Sequence, residues 1–283
     1  MNRESMKFQK IENDWKTKQE SIKTWTSDPC GAVYTKYPIG SMDFFDAIRN
    51  FRYNQASPWL SKEVDFGKYR NRKILEVGCG VGMDSASFAK AGAIVTGIDL
   101  TPRSIELATK QFEIYGLKGE FFVADAENLP FPEESFDIVY SFGVLHHTPN
   151  IRKAIDEIYR VLKPGGQVLI MLYNKDSVFF LWDIVFLERI IHGNLLRESI
   201  EDRLSRIEYT TSGAKPLVRV YTRKEARKLF CKFRNVNVKV FQLKKDDISI
   251  PFIEKLVKQA ISDKLVYSLS RHLGWNLFIR GTK

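Results

Sequence analysis

From Arg72 onward, short β-branched runs alternate with stretches of helical period. That is the pattern of strands joined by crossover helices in a parallel sheet. Lys73–Val77 reads as a first strand, followed by a glycine-rich turn and a helix through Lys90. Ile94–Ile98 reads as a second strand ending at Asp99, and Thr101 caps the next helix with Pro102 in its first turn. Glu120–Val123 and Asp137–Ser141 supply strands three and four. Ile151–Leu162 is a helix stopped by Lys163-Pro164-Gly165-Gly166, and Gln167–Leu172 is strand five.

After Tyr173 the alternation breaks. Ser177–Ile191 reads as a strongly apolar helix and Leu195–Ile207 as a polar one. The alternation resumes with a helix over Arg223–Phe233 behind a Thr222 cap, a sixth strand at Asn235–Gln242, a helix over Pro251–Ser270 and a closing strand at Trp275–Arg280. The first 70 residues are aromatic-rich and helical or irregular, with a turn at Ser27–Gly31. The expected division is therefore 1–70 as a helical cover, 71–173 as the core of the sheet, 174–222 as a helical insertion placed as a lid, and 223–283 as the completion of the sheet.

Composition changes this picture in two places. The net charge of +10 is concentrated, with eleven Lys/Arg against the single acid Glu225 between Lys215 and Lys245. Such a segment attracts anionic partners, yet its aromatics are not interleaved as a stacking platform, which argues against nucleic acid. Cys30, Cys79 and Cys231 are widely separated and odd in number, so no disulfide framework is expected. The N-terminus lacks an apolar signal core and the most apolar run, Val178–Ile191, is broken by Asp183, Glu188 and Arg189. The expectation is a reduced, cytoplasmic protein, monomeric or homodimeric.

The candidate chemistry begins at Glu76-Val77-Gly78-Cys79-Gly80-Val81-Gly82. A glycine-rich loop after the first strand lies where open parallel sheets bind ligands, and it lets a ligand approach the backbone. Dinucleotide spacing would need a small residue at position 83, which is Met83, and no G-x-x-x-x-G-K-[ST] sequence is present. Asp99, ending strand two, can accept ribose hydroxyls, or simply cap a helix. Asp125-Ala126, after strand three, can reach an adenine amino group, or simply form a turn.

Together these residues resemble the class I S-adenosylmethionine-dependent methyltransferases, in their small-molecule branch. The first motif is the glycine loop, the second Gly97-Ile98-Asp99, and the third Ala124-Asp125-Ala126-Glu127-Asn128-Leu129-Pro130-Phe131. Phe136-Asp137-Ile138-Val139-Tyr140-Ser141 and Arg160-Val161-Leu162-Lys163-Pro164-Gly165-Gly166 complete the set. The resemblance covers Arg72 to Leu172. It implies an α/β fold: a Rossmann-like, seven-stranded, mostly parallel sheet of order 3-2-1-4-5-7-6, flanked by helices, with the N-terminal cover and an insertion after strand five. It also implies S-adenosyl-L-methionine as cofactor and S-adenosyl-L-homocysteine as product. Gly78, Cys79 and Gly80 would pass beneath the methionine portion, with Glu76 on its ammonium. Asp99 would bind the ribose, Leu100 would pack on the adenine, and Asp125 with Ala126 would contact its edge. Ser141 or Phe142 would lie at the reactive end, and Asp84 would be a local hydrogen-bond partner.

Methyl transfer from a sulfonium has a good leaving group, so orientation and dehydration supply much of the rate, and a base matters only where the acceptor must lose a proton. His146 and His147 stand at the expected methyl position, and His146 is the preferred base of the two; anchoring the loop is their alternative role. His192 and His272 have no partners at metal spacing, and no metal is expected. Tyr34, Tyr37, Tyr53 and Trp59 are candidate walls for a small-molecule acceptor: a sugar, a secondary metabolite or a quinone-like lipid. The apolar helix beside the basic segment suits peripheral membrane contact. The rival readings are a catalytically silent partner protein with this fold and a nucleic-acid methyltransferase; intact Glu76, Gly78, Gly80 and Asp99 oppose the first, and Ser141-Phe142-Gly143-Val144 in place of an Asn-Pro-Pro-Tyr motif opposes the second.

Overall fold

The computed structural model describes residues 3–182, 184–185, 199–208, 211–244 and 261–283. Much of the expected helix at Ser177–Ile191, the start of that at Leu195–Ile207, and residues 251–260 of that at Pro251–Ser270 lie outside the described residues.

The centre of the chain is one sheet. Strands β1 (Lys73–Val77), β2 (Ile94–Asp99), β3 (Gly119–Val123), β4 (Phe136–Phe142) and β5 (Leu162–Asn174) run parallel. They are followed by β6 (Val220–Tyr221), β7 (Arg234–Phe241) and β8 (Asn276–Thr282), giving the order β3-β2-β1-β4-β5-β8-β7 with β6 pairing β5. β8 is antiparallel to both neighbours, with Ile279 opposite Ile170 on one side and Val238 on the other. Setting β6 aside, this is the expected 3-2-1-4-5-7-6 arrangement. The added eighth strand is two residues long, too short to carry a period, and is fixed by Tyr173 pairing with Val220.

Alternate side chains of the strands feed two apolar layers. Leu75, Val139, Ile170 and Ile279 pack with Ile155, Ile158, Phe230 and Phe233 on one face, while Ile74, Tyr140, Leu169 and Phe278 pack with Phe88, Phe112 and Leu60 on the other. The covering helices that follow strands are α4 (Met83–Lys90), α5 (Pro102–Ile114), α6 (Ile151–Val161) and α8 (Arg223–Leu229). Thr101 caps α5 by accepting from Ser104 N, and Thr222 forms a capping box with Glu225 at α8. Helix α8 stops at Leu229, short of the expected Phe233, and β5 starts at Leu162 because Phe136 pairs there, across a register shift from the Ile138–Gln167 pair.

Ahead of the sheet come α1 (Arg3–Ser27), α2 (Met42–Asn50), a wide π-turn over Phe51–Ala56, and α3 (Leu60–Val64). The apolar face of α2, Phe44, Phe45 and Ile48, packs on Val81, Met83 and Leu107, seating the N-terminal segment beside the glycine loop. Helix α7 (Ile200–Ile207) adds Leu204 to a smaller cluster with Phe180, Ile184 and Val218, and α9 (Asp263–Leu273) precedes β8. No helix among the described residues is long and apolar enough to cross a membrane. Of the eleven cations in the basic segment, Lys215, Lys232 and Lys239 pair with carboxylates, and Arg219, Arg223 and Arg234 bond backbone carbonyls. More than half of that charge is engaged by the fold itself.

Candidate active site

The loop between β1 and α4 is tied to β2 at three points. Gly78 N and Cys79 N donate to Ile98 O at 2.7 and 2.8 Å, and Gly80 N donates to Asp99 Oδ2 at 3.0 Å. Gly78 has φ +75°, and a Cβ there would collide with the Val144 side chain. Only glycine satisfies both constraints. At Gly80 the added Cβ would instead project towards Cys30, its nearest neighbour at 3.5 Å across the space the two residues line.

That space is a cavity of about 500 Å³ running from the carboxyl ends of β1, β2 and β3 to the N-terminal segment and β8. Glu76, Gly78, Cys79, Gly80, Asp99 and Leu100 line it, as do Asp125, Ala126 and Phe142. Ser141 does not. It is fully buried and donates to Val77 O at 2.8 Å, locking β4 to the loop, so Phe142 holds the position considered for either residue.

The carboxylates differ in what they have left to offer. Asp99 Oδ1 accepts from Thr101 N and Oγ1, both at 2.9 Å, and Oδ2 accepts from Gly80 N. With about four lone-pair sites on a carboxylate, one remains for a hydroxyl, not two. Burial pushes the Asp99 carboxyl above its ordinary range, against those donors. Burial, then the charge of Asp84, pushes Glu76 well up, although Ser85 Oγ donates to it. Asp125 is held by an ammonium: Lys18 Nζ of α1 lies 2.6 Å from its Oδ2 and 3.0 Å from Glu127 Oε2.

Asp84, at the start of α4, sits in a buried network. Arg52 Nε donates to it at 2.7 Å and Arg52 Nη2 also pairs with it, while Tyr53 and Tyr140 donate at 2.6 and 2.7 Å. Burial, then the Asp84 charge, raises both phenols well above their usual range. The Arg52 guanidinium lies 4.4 Å over the Phe142 ring, so the network carries a cation to the cavity wall.

The two histidines occupy one short 3-10 turn, Leu145–His147, with their rings tilted against each other at 4.2 Å, yet they differ in exposure to the cavity. His147 lines the cavity; His146 does not, being fully buried with its ring 3.9 Å from that of Tyr173. Burial, then His147, holds His146 well below the usual histidine range. The preference for His146 as the acceptor-side residue is therefore reversed, because a side chain sealed under Tyr173 cannot meet an acceptor. His147 Nδ1 lies 2.6 Å from Leu217 O, and Nε2 lies 3.7 Å from Glu208 Oε1.

Trp25, Tyr34, Phe51, Phe142, Tyr173 and Trp275 give the cavity beyond the loop an aromatic wall, with Tyr173 stacked on Trp275 at 4.4 Å. Of the four aromatics expected as walls, only Tyr34 is among the lining residues. Tyr37 is exposed, Tyr53 serves Asp84, and Trp59 stacks on Phe241 at 4.2 Å. Lys18 and Arg52 line the cavity and Glu208 stands behind it on Tyr173 and His147; none has a local signature in the sequence, because each is brought in by the packing of a distant element.

Residues 75–170 match the family described as a methyltransferase domain. The chain is 38% identical over 117 residues to a phthiotriol/phenolphthiotriol dimycocerosates methyltransferase of Mycobacterium leprae, covering 41% of this chain and 43% of that protein. It is 32% identical over 133 residues to a ubiquinone biosynthesis O-methyltransferase of Coxiella burnetii, covering 47% and 56%. The matches thus span about half the length of these relatives. In three dimensions the chain is similar to a SAM-dependent methyltransferase crystal structure from Methanosarcina mazei, with a TM-score of 0.54, 24% identity, and coverage of 76% of this chain and 95% of the other.

Proposed function

We propose that the chain, whose residues 75–170 match a methyltransferase domain, is a class I S-adenosylmethionine-dependent methyltransferase acting on an apolar, ring-bearing small molecule of the quinone or lipid kind. The observation that carries this reading is the lining of this cavity, which combines carboxylates and open glycine backbone with six aromatic rings.

The polar part of the lining fits the methyl donor. Asp99 keeps one acceptor site for a ribose hydroxyl, Gly80 leaves backbone open beside it, and Glu76 presents a carboxyl to an ammonium. Leu100 and Ala126 offer apolar contact to a base, with Asp125 at its edge, shared with Lys18. When bound, the donor supplies a methyl group already activated by a positive sulfur. The residues of the chain hold that group, exclude water and orient the acceptor, which together can provide several kcal/mol of the barrier reduction. Phe142, with Arg52 over its ring, lines the cavity, and His147 is the histidine of the pair on the acceptor side.

The aromatic wall supports a flat or greasy acceptor over a sugar, since rings bury apolar surface but leave few hydrogen-bond partners for hydroxyls. Relatives named for ubiquinone biosynthesis and for phthiotriol lipids are consistent with that class. The test has two arms. Calorimetric titration with S-adenosylhomocysteine should give stoichiometric binding; absence of heat would refute the donor site. Transfer of labelled methyl should then favour phenolic, prenylated or lipid acceptors over sugars. Turnover of sugars alone would overturn the acceptor class while leaving the donor site standing.

A further inference from the structure

We propose that His146, His147 and Glu208 form a binding site for a divalent transition-metal ion of the zinc type. One candidate ligand atom from each residue lies within 4.8 Å of the other two. The donor set is two imidazoles and one carboxylate. That composition suits zinc and its neighbours and disfavours magnesium or calcium, which prefer all-oxygen shells.

The hydrogen bonding around the cluster is the kind that prepares ligands. His147 Nδ1, 2.6 Å from Leu217 O, carries the proton and donates it, so Nε2 presents its lone pair. That Nε2 is buried without a hydrogen-bond partner and faces Glu208 Oε1 at 3.7 Å. Ligand atoms around tetrahedral zinc stand about 3.3 Å apart at bond lengths near 2.0–2.1 Å, so this pair needs only a small closure. Glu208 Oε1 is itself positioned by the Tyr173 hydroxyl, which donates at 2.8 Å. In His146, a fully buried residue, neither ring nitrogen has a hydrogen-bond partner. Leaving such a nitrogen unmet is costly, and an ion satisfies its lone pair.

Three protein ligands leave the fourth position of a tetrahedral ion open. Because His147 lines the cavity, an oxygen donor on a molecule held there has a route to that position. Ligation and base catalysis exclude one another at His147, since both use Nε2. The inference does not depend on methyl transfer, and its test contains no methyl donor.

The test is titration of tag-free, chelator-treated protein with cobalt(II), followed by displacement with zinc. We expect one equivalent of cobalt giving the intense visible bands of a four-coordinate ion, lost on adding zinc. His147→Ala and Glu208→Gln should each weaken cobalt binding at least tenfold, while His272→Ala leaves it unchanged. Circular dichroism establishes that the variants fold. Should either fail to fold, X-ray absorption of zinc-loaded wild-type protein decides: imidazole scattering with oxygen and no sulfur is expected. Wild-type protein without cobalt bands, bands that persist in both variants, or sulfur in the zinc shell would each overturn the site.

Discussion

Lys18, on the first helix, places its ammonium 2.6 Å from the carboxylate of Asp125, both lining the cavity. The same nitrogen reaches Glu127 at 3.0 Å, so one cation joins two carboxylates that would otherwise repel. Burial opposes its charge, but the bonds to Asp125 and Glu127 prevail and hold Lys18 above the usual lysine range. We expect Lys18→Ala to loosen α1 by roughly 1–2 kcal/mol, seen as faster amide exchange over residues 15–25. Unchanged exchange would mean that the pair does not fasten the helix.

Glu76 gives a pH signature. Its folded carboxyl is raised well above its unfolded value, so its contribution to stability is full below the ordinary carboxylate range and lost as pH rises through the raised value. A bound ammonium favours the charged form, so ligand binding should release a proton and tighten as pH rises above the ordinary carboxylate range. Calorimetry with S-adenosylhomocysteine in two buffers of unlike ionisation enthalpy reads this directly. Glu76→Gln should abolish the proton release and weaken binding about tenfold to a hundredfold. Equal proton counts in the two proteins would exclude Glu76 as the source.

Gly78→Ala combines a left-handed backbone with a collision at Val144. The two effects sum to about 2–4 kcal/mol, a fall of roughly 5–10 °C in Tm. Adding Val144→Ala should restore only the steric part. Full recovery in the double variant would show that the φ of Gly78 carries no cost.

Asp84→Asn leaves the Arg52 guanidinium, only 19% exposed, without its counter-charge. Breaking a buried pair in this way costs about 3–5 kcal/mol. A double-mutant cycle with Arg52→Gln should show coupling above about 1 kcal/mol by urea unfolding. Additive losses would mean that the two side chains act separately.

Much of this architecture could be read along the chain. β1 and its loop, the Asp99 strand end, and the Thr101 and Thr222 caps are local, set by neighbours a few residues apart. That the loop glycines, Glu76, Asp99 and Asp125 line one cavity follows from their places at or beside strand termini. What escaped was convergence over long separations. Nothing near Glu208 announces that it will meet His147, nor Lys18 that it will meet Asp125. Which of two adjacent histidines faces inward was set by a single 3-10 turn and the ring of Tyr173. The expectation of no metal rests on spacing along the chain, which cannot register a third side chain brought in by another segment.

The antiparallel strand β8 bears on how the chain is made. It lies between β5 and β7, so β7 has no partner in the sheet until Asn276–Thr282 has been synthesised and inserted. The parallel block β3-β2-β1-β4-β5 can assemble as soon as residue 174 is clear of the ribosome, but it then waits with the long edge of β5 unpaired. An exposed apolar edge is prone to pairing with other chains. Until β8 docks, the nascent protein is at its most vulnerable to aggregation, and Trp275, which precedes that strand, joins the cavity wall only in the same late step.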